Sequence, residues 1–371
     1  MDISTKNMKD DLIELSITNL IQCLEDTNKK EVFVKELSTE EYSKIVQIMR
    51  EESTIIQMRD FHNWIKSVLI SNITEYYYSN KRNEKVALLD IAVGRGGDLS
   101  KWNNAYITDV FGFDANKDYI YSKNPENPGA LERYNNLKKK ANWNVKVQFA
   151  VGDVTRPLGY NDIPNVDLLI QDYLTKKLKK QSFDLVSCQF ALHYFFSSEE
   201  ALRNMLAVVS KYLKSGGYFF GTTVDGDKIK EYFKDYKGKV IKRSIYKIER
   251  SFPPKPKSAF GNKYTFTIFD NKDKTNYFNT IPISVEYLTD LNILTLIAKQ
   301  YNLEPVNINF FEKYKKVVSG KTYNEYTTNE SNITNFENIY RLNSWKPKDK
   351  QITPEQLELS FLNSTFVFRK K

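Results

Sequence analysis

The chain has 371 residues, 41% hydrophobic and 27% charged, which is one large domain or two modest ones with enough apolar material for a core, and this excludes a disordered or fibrous chain. Its only cysteines, Cys23 and Cys188, and only histidines, His62 and His193, exclude a disulfide framework, a thiolate zinc site and a three-histidine metal centre. Fifty-five Lys and Arg against 46 Asp and Glu leave a net charge of +9, a sign that suits a partner carrying phosphates.

The N-terminus lacks the layout of a signal peptide, and no stretch approaches the ~18 uninterrupted apolar residues of a membrane span. A soluble, intracellular protein with no membrane partner is therefore expected. Residues 1–58 read as a helical N-terminal extension, with a capping box at Ser38-Thr39-Glu40-Glu41 and helical apolar spacing over 42–49. A helix over 61–77 follows, whose spacing puts Phe61, Ile65, Val68 and Leu69 on the buried side. From Val86 the pattern becomes strand, helix, strand: VALLDIAV (86–93), VFGFDA (110–115), VKVQFAVGDV (145–154), FDLVSCQFALHY (183–194) and GGYFFGTTV (216–224) are the strands. The fourth and fifth enclose a capped amphipathic helix. This order predicts an α/β, Rossmann-like core over about 80–225, with a mostly parallel sheet and crossover helices. Beyond Asp225 an antiparallel and helical C-terminal elaboration, about 226–371, is expected. It comprises antiparallel strands over 239–282, a helix from Val285 to Tyr301, a long loop over 318–352 and a closing strand at 364–368.

The turn after the first strand, Gly94-Arg95-Gly96-Gly97-Asp98, begins like a dinucleotide fingerprint but has Leu99 at the third glycine position. S-adenosylmethionine, which offers a carboxylate and a ribose instead of a pyrophosphate, is the better ligand, its carboxylate held by amides at the helix start. Asp114, at the tip of the second strand, can accept both ribose hydroxyls, and Asp153, at the end of the third, can meet an adenine amino group.

The segments RDFHNWIKS (59–67), LLDIAVGRGGDLSKW (88–102), FDLVSCQFALHYFF (183–196) and LKSGGYFFGTT (213–223) occur in that order. Together they closely resemble the mRNA cap guanine-N7 methyltransferases of eukaryotes and large DNA viruses, over about 59–315. The resemblance implies a methyltransferase domain over 59–371, transfer of a methyl group from S-adenosylmethionine to guanine N7 of a GpppN-ended RNA, and S-adenosylhomocysteine as product. It places Lys66, Gly94, Asp98, Asp114, Asp153 and Gln189 on the cofactor, Arg95 and Arg133 on the cap phosphates, and His62 and Asn63 near the cap. His193, Tyr194 and Glu286 are implied to hold the guanine, with Tyr194 bordering the cofactor too. No metal and no general base are implied, because N7 carries no proton to remove. Partners implied are the capped RNA and, left open, a guanylyltransferase/triphosphatase domain or an activating subunit.

The chain departs from the family pattern at Ala92-Val93, where Gly-Cys is usual, at Val224, where a proline is common, and at Asn363, where an aromatic commonly covers the cap. Ala92 is expected to restrict the turn. Two other readings compete: a methyltransferase acting elsewhere on RNA or on a small molecule, and a non-catalytic subunit that stimulates a capping partner. The first does not account for FHNWIKS or ALHY, and the second does not account for the retained Asp114 and Asp153. Lys- and Asn-rich composition points to a viral source, which would place the protein in host cytoplasm; a cellular source would place it in the nucleus.

Overall fold

The computed structural model describes residues 53–81, 85–124, 127–156, 182–234, 236, 238–270, 284–347 and 351–371. The capping box at 38–41, the helix expected over 42–49 and Cys23 lie outside the described residues. Gln57–Asp270 with Lys274–Lys371 forms one compact unit, and every feature below belongs to it.

Helix α1 (Ile56–Lys81) has a continuous apolar face, with Phe61, Ile65, Leu69, Ile73 and Tyr77 at helical spacing and all buried. Val68, expected on that face, is only half-buried. The chain then alternates: β1 (Ala87–Ile91), α2 (Leu99–Asn104), β2 (Asp109–Asp114), α3 (Lys117–Tyr121), α4 (Ala130–Leu137), β3 (Lys146–Val151) and β4 (Phe183–Gln189). After a 3-10 turn at Leu192–Ser197 come α5 (Glu199–Tyr212) and β5 (Leu213–Val224). The parallel pairs β1–β2, β2–β3, β1–β4 and β4–β5 give the order 3-2-1-4-5 expected of a Rossmann-like sheet. Because both faces of these strands are covered, they read as near-continuous apolar runs. α5 shows the accompanying pattern. Ser198 accepts the amide of Ala201 at its start, Glu199 and Glu200 fill its first turn, and Leu202, Met205, Leu206 and Val209 line its buried side.

The C-terminal part contains α6 (Gly226–Tyr232), an antiparallel sheet of β6 (Val240–Lys242), β7 (Tyr246–Arg250), β8 (Lys263–Ile268) and β9 (Ser284–Tyr287), then α7 (Leu291–Lys299) and β10 (Leu303–Pro305). A two-stranded ribbon, β11 (Ile308–Val318) with β12 (Lys321–Thr328), is followed by β13 (Ile333–Asn335), α8 (Phe336–Arg341), α9 (Pro354–Ser360) and β14 (Asn363–Lys370). β14 inserts antiparallel between β5 and β10, so the closing strand is central to the large sheet.

Three expectations need correction. The segment 285–301 is not one helix: Val285, Glu286 and Tyr287 are strand β9, and α7 starts only after Asp290 accepts the amides of Asn292 and Ile293. Acidic Glu286 followed by apolar residues read as a first helical turn, but its register opposite Tyr264 makes it a sheet residue. Residues 318–347 are not a loop. They hold β12, β13 and α8, whose Asn- and Thr-rich composition masked an exposed ribbon and an Asn335-capped helix. The fourth strand stops at Gln189, where Phe190 adopts a left-handed φ of 52° and turns the chain into the 3-10 segment. Among the described residues, no helix is long and apolar enough to cross a membrane.

Candidate active site

Strand order reverses between β1 and β4, and the crevice beyond their carboxyl ends is where ligands bind in open α/β sheets. The β1 turn is tight: Ala92 and Gly94 have φ of 59° and 56°, so the alanine adopts the left-handed region that glycine takes without cost. The Gly94 amide donates to Asp114 Oδ2 at 2.8 Å, and Asn116 N donates to the other oxygen at 2.8 Å. The Gly96 amide goes to the Val93 carbonyl. The Gly94 amide thus anchors the Asp114 carboxylate. Burial raises the Asp114 carboxyl above its ordinary range, while the two amides pull it back.

Asp98 lies between two ammonium groups, Lys66 Nζ at 2.7 Å and Lys101 Nζ at 2.8 Å. Burial alone would raise its pKa, but the two lysines outweigh burial and hold it near 2. Lys66 stands on α1, four residues beyond His62. Asp90, on β1, was not singled out from the sequence. Its carboxylate is buried, one oxygen has no hydrogen-bond partner, and burial followed by the nearby Asp98 pushes its pKa well above the usual range. The signal available was an acid inside an apolar strand run, a residue type rarely buried without a task.

These groups suit S-adenosylmethionine. Asp114 at a strand tip can accept from ribose hydroxyls, and the Lys66 ammonium beside Asp98 can meet a carboxylate. Open space lies beside Gly94 and Gly97, where an added Cβ would meet nothing within 4 Å. Asp153, two residues past β3, turns one oxygen back to the Thr155 amide (2.9 Å) and hydroxyl (2.7 Å). Gln189 is held by Ser187 Oγ at 3.1 Å and Thr222 Oγ1 at 3.0 Å.

Beyond β4 a second group assembles. His193 is buried, and neither ring nitrogen has a hydrogen-bond partner among the described residues. Its Nε2 lies 3.9 Å from Glu286 Oε1, and its ring packs 4.2 Å from that of Tyr194, which is 44% exposed. Burial lowers the His193 pKa, although Glu286 pulls upward, so the ring is neutral at pH 7. Glu286 is buried, and its Oε2 accepts from the Tyr264 hydroxyl at 2.7 Å across the β8–β9 register. Tyr264 too was missed, since only strand pairing brings it to Glu286.

His62 is placed differently. Its Nε2 is 2.9 Å from Ser360 Oγ on α9, and its ring stacks on Phe190 at 5.3 Å. Desolvation, then Lys66, lowers its pKa to about 3. Phe190, also missed, has Lys66 Nζ 5.9 Å from its ring centre. The Asn63 carbonyl accepts from Ser67. Asn363 is buried and donates to the carbonyls of Leu359 and Ser360, closing α9. Arg95 donates to the carbonyls of Asp118 and Asn127 and lies 4.8 Å over Tyr119, and Arg133 donates to the Pro128 carbonyl. Both guanidiniums therefore gather on the 118–128 segment. Among the described residues no group of three or more His, Cys, Asp or Glu could hold a metal ion.

Comparison with known proteins agrees with this geometry. Residues 24–371 match the mRNA (guanine-N(7))-methyltransferase domain family, a match that begins inside the segment read as an N-terminal extension. The chain is similar to the mRNA cap guanine-N(7) methyltransferase of Caenorhabditis elegans, 30% identical over 351 residues, covering 89% of this chain and 85% of that protein. It is 28% identical over 330 residues to mRNA cap guanine-N(7) methyltransferase 1 of Arabidopsis thaliana, covering 87% of this chain and 77% of that protein. The probable mRNA-capping enzyme of Acanthamoeba polyphaga mimivirus is 28% identical over 376 residues, which cover 92% of this chain and 30% of that longer protein. With an α/β crevice suited to S-adenosylmethionine and a matching domain over most of its length, the chain belongs to the mRNA (guanine-N(7))-methyltransferase family, which methylates guanine N7 of the mRNA cap.

Proposed function

We propose that the group beyond β4 is the guanine pocket and that the crevice over β1 and β2 holds the methyl donor. The observation that carries this reading is His193, buried with both ring nitrogens unpartnered and 3.9 Å from the Glu286 carboxylate. A buried polar group left unpaired costs free energy, and a ligand that pairs it recovers that cost.

S-adenosylmethionine supplies a methyl group already activated on a sulfonium. Asp114 holds the ribose hydroxyls, and Asp153 is proposed for the adenine amino group through the oxygen not turned to Thr155. Lys66, oriented by Asp98, meets the carboxylate of the methionine end, and the Gly94 turn lies beside it. Gln189, fixed by Ser187 and Thr222, borders the same end. Glu286 accepts the ring N–H and 2-amino group of guanine, and neutral His193 and half-exposed Tyr194 set the plane of the base. Arg95 and Arg133 face the triphosphate bridge, while His62 and Asn63 flank the cap, His62 by supporting Phe190. No proton leaves N7, so alignment and water exclusion are the tasks, and alignment alone can supply roughly 7–11 kcal/mol. As positive charge grows on the purine, the Glu286 carboxylate binds it more tightly than in the ground state, which lowers the barrier.

We further place the chain beside a guanylyltransferase/triphosphatase or an activating subunit, inside the cell where transcripts are capped: in host cytoplasm if viral, in the nucleus if cellular. The similarity to one stretch of a longer viral capping enzyme supports the first of these partners. Incubation with labelled S-adenosylmethionine and GpppA-ended RNA, followed by nucleotide analysis, tests the reading. Label is expected in 7-methylguanine; label confined to a ribose or to an internal base overturns it.

A further inference from the structure

Four large apolar side chains exposed among the described residues crowd onto one ribbon: Tyr314 (45% exposed), Val317 (68%), Val318 (47%) and Tyr323 (50%). β11 and β12 pair only with each other. Their foot is packed. Phe310 and Phe311 are buried, Phe311 lies 6.4 Å from Trp64 on α1, Tyr326 lies 5.2 Å from Phe310, and Lys313 pairs with Glu75 at 3.0 Å. Beyond the foot, every residue from 312 to 324 is exposed. An isolated two-stranded ribbon is marginal in water, so a projecting half that leaves tyrosines and valines uncovered marks an interaction surface.

Its chemistry selects the occupant. Strand alternation puts Tyr314, Lys316 and Val318 on one face, opposite Glu325, Tyr323 and Lys321. Residues 314–325 carry Lys315, Lys316 and Lys321 against a single acid, Glu325, which is held by Lys316 and by the Tyr314 hydroxyl. Lys315 and Lys321 have no ion-pair partner among the described residues. Two half-exposed aromatic rings share a face with the unpaired Lys321, while Lys315 lies on the other face; rings that stack bases and ammonium groups that neutralise phosphates are what single-stranded nucleic acid uses. An acidic protein would be drawn by the lysines, but the RNA is already tethered to the cap, so its local concentration is high.

We propose that this ribbon binds the single-stranded RNA chain behind the cap. The proposal rests on the guanine pocket described above. The ribbon's foot meets α1 at Trp64, two residues from Lys66, and continues to Glu75, about 13 Å further along the helix from Lys66. The projecting half is therefore assigned to the transcript that follows the cap, not to the capped dinucleotide.

The test compares kcat/KM on the dinucleotide GpppA and on a long capped transcript, for wild type and for Lys315→Glu/Lys321→Glu. On GpppA the variant should equal wild type, which also shows that it is folded. On the long transcript it should fall about tenfold, with a log–log salt dependence shallower by about 1.4, two phosphate contacts at about 0.7 each. Tyr323→Ala should lose on the long transcript alone. Binding of uncapped single-stranded RNA, followed by fluorescence anisotropy, should weaken in the same variants. That readout does not need the guanine pocket, so a wrong pocket and a wrong ribbon give different results. Unchanged RNA binding and an unchanged long-to-short ratio in the variants would overturn the proposal, and a ribbon that serves a protein partner would give that result.

Discussion

At the proposed cofactor end of the crevice two carboxylates are engaged in advance: Asp98 sits between Lys66 and Lys101, and Asp114 accepts two backbone amides. At the proposed guanine end His193 is unpartnered on both nitrogens among the described residues, with Glu286 3.9 Å away. The difference teaches where each kind of specificity comes from. A charge network closed in advance keeps a turn rigid and binds a flexible donor with little reorganisation. A pocket with unpaired polar groups rejects bases that cannot pair them, because the penalty then stays uncompensated.

The largest effect should come from removing the charge at the guanine end. Glu286→Gln keeps the shape but turns an acceptor into a donor facing a donor. It should lower kcat/KM on capped RNA by roughly 10²–10³, about 2.7–4 kcal/mol, and blunt the preference for guanosine-capped over inosine-capped RNA. An unchanged rate would remove the residue from the pocket. At the other end, Asp114→Ala should weaken S-adenosylmethionine binding by roughly 1.5–3 kcal/mol, measured calorimetrically, with cap binding unaffected. If both ligands weaken together, the two ends are not separable.

Acid should also strike the Asp98 network, at a lower pH than it charges the buried histidines. The Asp98 carboxyl titrates near 2 in the folded protein against an ordinary 3.8. A depressed pKa contributes stability that is complete above about pH 4 and is lost as pH falls toward 2, here roughly 2 kcal/mol. Asp98→Asn should abolish that part of the acid transition in denaturant titrations. Tyr264→Phe releases one oxygen of Glu286 and should cost about 1 kcal/mol in kcat/KM for the cap, leaving cofactor affinity alone. Smallest is Ala92→Gly. It relieves a left-handed alanine but loosens the unfolded chain, so a gain below about 1 kcal/mol in stability is expected, read as a slightly higher Tm.

Much of the parallel core was legible along the chain. Parallel strands buried on both faces announce themselves as apolar runs, and a strand tip such as Asp114 is fixed by where its run stops. Periodicity also placed Phe61, Ile65 and Leu69 on the inner side of α1. Periodicity could not tell that Glu286 lies on a strand, because four residues are too few to separate a helical period from a strand period. Nor could it tell that the Asn- and Thr-rich stretch after Val318 folds as a ribbon and a helix, since such residues are common in turns and loops as well.

The residue types of this protein determined its layered α/β core, its glycine turn and the chemistry available to it: carboxylates, two histidines, and no cluster of thiols. Tertiary structure alone decided which of these groups meet. Tyr264 pairs with Glu286 only through the β8–β9 register, and His62 turns to Ser360 only because α9 packs on α1. Local sequence sets the conformation of a few residues through backbone sterics and apolar period, whereas contacts between residues far apart in the chain depend on how whole elements bury their apolar faces together.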